Sequence, residues 1–114
     1  MGMEIQIVDS HVLGEKISEK LTGAIFNVVG SFHPPLRPTG QWNFMEIRCE
    51  GDNIEVTLNS IRTANANMSQ TPALRDRPRV GYIGLSNWHG EANGIAFRNI
   101  RIKELRATTD LAAP

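Results

Sequence analysis

Apolar and polar residues alternate along most of this chain with a period of two, and the runs are short. Met3, Ile5 and Ile7 alternate with Glu4 and Gln6. That predicts an opening strand over 3–8, with one apolar face and one face carrying Glu4 and Gln6. Ala24, Phe26 and Val28 set against Ile25, Asn27 and Val29 predict a second strand. Further on, Trp42, Phe44, Glu46 and Arg48 face one way, and Asn43, Met45, Ile47 and Cys49 the other. Gly51-Asp52-Asn53 supplies turn chemistry, after which Ile54, Val56 and Leu58 resume the pattern. Two runs joined by such a loop are a hairpin signal. Residues 79–86 and 95–105 complete the set, the last alternating Phe97, Asn99, Arg101 and Lys103 with Arg98, Ile100 and Ile102. Six short strands separated by Gly, Pro and Asn predict an all-β fold, an antiparallel sandwich or barrel.

The remaining segments read as connections. Ile17 and Leu21 share a helical face, but 15–21 is too short for more than a turn or two. Pro34, Pro35 and Pro38 make 31–40 an ordered, extended loop. Residues 65–78 are polar with two prolines and are predicted as a long loop. A single β-sandwich domain is expected over 1–106, with a frayed tail over 107–114.

Composition narrows the function classes. Twelve Lys and Arg balance twelve Asp and Glu among 114 residues, a net charge of zero. That argues against nucleic acid and against an anionic membrane surface as partners. No apolar run approaches a membrane span, and no basic start leads into an apolar core, so no signal peptide is expected. One cysteine excludes an intrachain disulfide and a Cys-based zinc cluster. Cys49 and Trp42, both inside a predicted strand, are expected in the core. The chain has no P-loop, dinucleotide fingerprint, Gly-x-Ser-x-Gly elbow or His-Glu-x-x-His, and no cofactor is expected. Glu4, Asp9, His11 and His89 are possible metal ligands without compact spacing, so no metal site is assigned.

An ordered set of segments carries a family likeness. It runs from Met3-Glu4-Ile5-Gln6-Ile7-Val8-Asp9-Ser10 through Thr22-Gly23-Ala24-Ile25-Phe26, Pro38-Thr39-Gly40-Gln41-Trp42-Asn43 and Ile54-Glu55-Val56-Thr57-Leu58-Asn59. It ends with Gly81-Tyr82-Ile83-Gly84-Leu85, His89-Gly90 and Phe97-Arg98-Asn99-Ile100-Arg101-Ile102-Lys103-Glu104-Leu105. In order and spacing, residues 3–105 resemble the C-terminal part of the 3-keto-disaccharide hydrolase domain family. The resemblance implies a concanavalin-A-like, jelly-roll sandwich, and a family often exported in bacteria. Two departures stand out. Family domains are longer, with earlier strands that have no counterpart here, and Ser60 stands where a glycine is usual. The chain therefore reads as a fragment, a split product or a reduced relative that completes its sheets by association.

The resemblance implies action on sugars oxidised at C3. A ketone there acidifies the hydrogen at C2. A base removes that proton, the enolate expels the glycosidic oxygen from C1, and water later adds back. Such chemistry needs a base, a donor to the enolate oxygen and an acid for the leaving group. The catalytic candidates are Glu4, Asp9, His89 and Arg98, with Gln6 and Trp88 as substrate-binding candidates. Each has a plain structural alternative. Glu4 is also read as a solvated strand residue, Asp9 as a turn former, His89 as a packed loop histidine and Arg98 as a cross-sheet ion pair. Trp88 stands between pocket wall and loop anchor. Three functions remain open: an enzyme on 3-keto-glycosides, a non-catalytic carbohydrate-binding module, and a structural fragment. The apolar opening strand further predicts a homodimer or a complementing chain.

Overall fold

The computed structural model describes residues 2–9, 16–31, 33–86 and 95–105. They fall into two compact units, Met1–Gly81 and Tyr82–Pro114.

The first unit is built on a three-stranded antiparallel sheet: β1 (Met45–Glu50), β2 (Asn53–Leu58) and β3 (Ile61–Asn67), in that order. The predicted hairpin forms the first half. Glu50 pairs with Asn53 across the two-residue loop Gly51–Asp52. Gly51 has φ +59, the left-handed value that tight hairpin turns require at this position. The alternation in β2 is strict, with Ile54, Val56 and Leu58 buried to 1% exposure or less.

β3 is a strand that the sequence reading does not predict, and its last residues, Asn65–Asn67, fall in the predicted loop. Its inward residues, Ala64 and Ala66, are small, so the apolar period carries little weight against Arg62, Asn65 and Asn67. Residues 65–78 are not a long loop. β3 runs to Asn67, a 3₁₀ turn follows over Met68–Gln70, and a single helical turn, α1, spans Pro72–Arg75. The Asn67 side chain caps the 3₁₀ turn by accepting from the Gln70 amide at 3.2 Å. Met68 and Leu74 then close over the sheet.

The turn between β2 and β3, Asn59-Ser60, holds two non-glycine residues at φ +48 and +72. Asn tolerates this region, whereas Ser is strained there. Ser60→Gly relieves that strain and loses part of the gain to unfolded-chain entropy. The expected result is a net stabilisation of roughly 0.5–1 kcal/mol, read as a raised urea midpoint. An unchanged or lower midpoint counts against the turn strain.

A register shift between Val56 and Thr57 leaves Thr63 as the extra residue of a β-bulge in β3. The bulge turns the Thr63 hydroxyl towards the N-terminal layer, where it donates to the Gly23 carbonyl at 2.9 Å. Gly23 has φ +86, and a Cβ there would lie 2.3 Å from Thr63 Oγ1. Only glycine fits this crossing.

The N-terminal layer departs from two predicted strands. Residues 4–8 do run extended, but the pairing is brief. The Phe26 amide donates to the Glu4 carbonyl (2.8 Å), the Gln6 amide to Ala24 (3.0 Å) and the Gly23 amide to Gln6 (2.9 Å). Thr22 adds a side-chain rung to Val8, its hydroxyl donating to the Val8 carbonyl at 2.7 Å. The predicted strand over 24–29 instead folds back on itself. Ile25 bridges both Ile5 and Val29, and Asn27 turns the chain at φ +60. The expected short helix within 15–21 is a 3₁₀ turn over Ser18–Lys20. The resulting core joins Ile25, Ile54, Val56, Ala64, Ala66, Met68 and Leu74, with Met3, Ile5, Val28, Val29 and Met45 packed around it.

Of the second unit, residues 82–86 and 95–105 are described, and they contain no ladder strand. The strand predicted over 95–105 is interrupted by Asn99 at φ +55. Ile83 and Ile102 are 79% and 77% exposed. A period-two pattern makes a strand only where a neighbour supplies hydrogen bonds, and none does so among these residues. The tail 107–114 lies outside the described residues.

Candidate functional site

The proline-rich loop enters the sheet through a polar clasp. Asn59, at the β2–β3 turn, donates through Nδ2 to the Pro35 carbonyl (2.7 Å) and to Asn43 Oδ1 (2.8 Å). Its Oδ1 accepts from the Phe44 amide at 2.8 Å, and its own amide donates to the Phe44 carbonyl at 2.7 Å. Asn43 Oδ1 also accepts from the Arg37 amide at 3.0 Å, and the Arg37 guanidinium donates to the Trp42 carbonyl at 2.9 Å. Such short, mutually supporting bonds hold a loop that has no secondary structure of its own.

The tip of this loop is a β-turn, Pro38–Gln41, closed by the Gln41 amide donating to the Pro38 carbonyl at 3.1 Å. Gly40, at its third position, has φ +92, as a type II turn demands. The turn presents the Thr39 hydroxyl, which donates to Asp9 Oδ2 at 2.6 Å. Trp42 follows directly. Its expected place in the core is not what the structure shows: Trp42 is 40% exposed and Phe44 is 63% exposed. Trp42 precedes β1 and so lies outside the sheet. Cys49 is likewise exposed rather than buried, because β1 is an edge strand among the described residues and the buried cluster draws its strand residues from β2 and β3.

The described sequence candidates lie on two segments, 4–9 of the first unit and 95–105 of the second. Asp9 is half-buried and tied to the turn that leads into Trp42. Glu4 is exposed, Gln6 is half-buried, and both are fixed by backbone pairing to 23–26. Arg98 is exposed in the second unit. Trp88, His89 and His11 lie outside the described residues. Sequence reasoning did not single out Thr39, Arg37, Asn43 or Asn59. The Pro-Thr-Gly-Gln run was the available signal for the turn. Among the described residues no group of three or more His, Cys, Asp or Glu could hold a metal ion. A shallow depression of about 270 Å³ beside α1 is lined by Pro72, Ala73, Asp76 and Arg77. It contains none of the candidates and no nucleophile, and it offers no chemistry of the required kind.

A carboxylate that accepts from a hydroxyl and an exposed indole further along the same loop are groups that suit a sugar ring: polar edges meet a carboxylate and C–H faces meet an aromatic. Comparison with known proteins gives that suitability a family. The family model of the 3-keto-alpha-glucoside-1,2-lyase-like domain matches residues 1–103. The chain belongs to this family. Three solved chains match it. One of them, a crystal structure from Parabacteroides distasonis provisionally described as a glycosyl hydrolase, is 31% identical with a TM-score of 0.56. The match covers 68% of this chain and 44% of that one, so the chain spans under half of that protein's length. No curated protein matches the chain. Membership agrees with the all-β, antiparallel architecture described above and with a jelly-roll type of fold. No helix among the described residues is long and apolar enough to cross a membrane.

Proposed function

We propose that the chain takes part in cleaving 3-keto-glycosides, by proton abstraction beside the C3 ketone. The observation that carries this reading is the family match over residues 1–103, and the Asp9–Thr39 hydrogen bond is the physical feature that supports it. Asp9 serves as the base that takes the C2 proton, its carboxylate aimed by the Thr39 hydroxyl. The C2–H electron pair moves to form the enolate, and the C1–O bond breaks with its electrons leaving on the glycosidic oxygen. His89 returns a proton to that oxygen, and Arg98 donates to the enolate oxygen. Glu4 and Gln6 bind ring hydroxyls, and Trp42 and Trp88 provide apolar faces. Water then adds at C1 of the unsaturated ketosugar.

This reading includes association, as a homodimer or with a complementing chain. A second reading, a carbohydrate-binding module without catalysis, is favoured by the two exposed aromatics Trp42 and Phe44. Incubating the purified chain with a 3-keto-glucoside separates them. Turnover is expected, with Trp42→Ala raising KM about tenfold, the worth of one lost aromatic contact of ~1.4 kcal/mol. Binding of an unoxidised glucoside, read by tryptophan fluorescence, with no loss of ketosugar would select the module instead.

A further inference from the structure

β1 is paired with β2 on one side only, among the described residues. Its open edge has a definite chemistry. Across a two-residue hairpin the closing pair, Glu50↔Asn53, is the hydrogen-bonded kind, and the kinds alternate from there. Glu46, Arg48 and Glu50 therefore direct their backbone groups to β2, while Met45, Ile47 and Cys49 direct theirs outwards. The same three residues share the sheet face of Leu58, Val56 and Ile54, their cross-strand partners. That face is core over β2 and packed at Met45, but open further along β1, where Ile47 is 47% exposed and Cys49 is exposed. The opening strand, by contrast, is not the open surface that its sequence suggested. Met3 and Ile5 pack on the core, and the backbone of Glu4 and Gln6 is bonded to 23–26.

We infer that β1 pairs antiparallel with β1 of a second copy of this chain, about a two-fold axis through Ile47. The charges select both the occupant and the register. Centred on Ile47, the pairing sets Glu46 opposite the partner's Arg48 and Arg48 opposite the partner's Glu46, two unlike pairs on one face. Ile47 meets its own copy, and Met45 meets the partner's Cys49, on the apolar face. The outward backbone groups of Met45, Ile47 and Cys49 all find partners in this register. Centring on Arg48 sets Arg48 against Arg48 and Glu46 against Glu50, and centring on Glu46 sets Glu46 against itself. Centring on Cys49 keeps unlike charges but leaves Met45 and Glu46 unpaired. Glu46 has no ion-pair partner among the described residues, whereas Arg48 is bonded to Glu50 at 3.1 Å, on the same face. In the dimer each Arg48 sits between its own Glu50 and the partner's Glu46. The two three-stranded sheets become one of six strands, with continuous apolar faces.

This inference rests on the association included in the proposed function and needs no substrate. Sedimentation of the full chain at roughly 50 µM is expected to show a dimer. Glu46→Arg and Arg48→Glu, both at exposed positions, should each weaken association by roughly tenfold or more, since both symmetry-related pairs become like-charged. An equimolar mixture of the two variants should restore it, because every facing pair is again unlike. Circular dichroism shows whether each variant is folded. Under mild oxidation, Ile47→Cys combined with Cys49→Ser should cross-link, the ~5.5 Å Cα separation across the axis lying within disulfide range. The unaltered chain, with Cys49 facing Met45, should not. A monomer overturns both this inference and homodimeric association. A dimer indifferent to the charge substitutions, or one cross-linked through native Cys49, overturns the register alone.

Discussion

Ile25→Ala is expected to leave the chain largely unfolded at ambient temperature. Ile25 is fully buried and lies between the sheet and the N-terminal layer. Truncation removes its contacts with the central cluster and opens a cavity between elements that cannot close on each other. Large-to-small substitutions at such sites cost about 2–5 kcal/mol. The domain has little to lose, since native stabilities run at about 5–15 kcal/mol and small cores sit at the lower end. Ile25 also bridges Ile5 on one side and Val29 on the other. A shift of its backbone into the cavity therefore loosens the pairing that holds Glu4 and Gln6. Ile7→Ala is the matched control, because Ile7 is 39% exposed. It should cost less than about 1.5 kcal/mol, in keeping with its partial burial. Urea unfolding followed by circular dichroism decides the matter. Equal midpoints for the two variants would mean that Ile25 is not the keystone of the layer.

The asymmetry between these two isoleucines was not visible in the sequence, and the reason is general. The β1–β2 hairpin could be read because alternation and turn chemistry coincide within fourteen residues: Met45, Ile47, Ile54, Val56 and Leu58 on one face, with Gly51 at the bend. β3 could not, because a strand that buries Ala64 and Ala66 against larger neighbours looks polar along its length. Residues 24–29 misled in the opposite way. Their apolar content promised a strand, yet Asn27 takes a left-handed conformation and folds the segment over Ile25. Burial in this layer is set by where the chain reverses, which period-two counting does not register. Cys49 and Trp42 were misplaced for a related reason. Alternation says which face a residue is on, not whether anything covers that face. The site followed the same division. The candidate Asp9 was legible from the family likeness, but its partner Thr39 is thirty residues away, and no local pattern joins them.

Asp9→Asn is expected to lower turnover of a 3-keto-glucoside by roughly 10²–10⁴-fold, the usual worth of general acid–base catalysis. The substitution is nearly isosteric, and the amide oxygen can still accept from Thr39 Oγ1, the bond that measures 2.6 Å in the native chain. The turn and its clasp to Asn43 and Asn59 should therefore survive, and KM should change little. What is lost is the anionic oxygen that takes the C2 proton. Thr39→Val tests the arrangement from the other side. Removing the hydroxyl takes away one of the bonds that orient the carboxylate and leaves its charge in place, so kcat should fall by about tenfold, the equivalent of one net hydrogen bond of ~1.4 kcal/mol. His89→Ala should give a loss comparable to that of Asp9→Asn if the leaving oxygen needs a proton, and less with an acidic aryl leaving group that departs unaided. Asp9 and His89 are thereby distinguishable within one experiment, since the C2 proton must be removed whatever the leaving group. A rate for Asp9→Asn equal to that of the native chain would remove Asp9 as the base and return the role to Glu4 or to a residue of an associating chain.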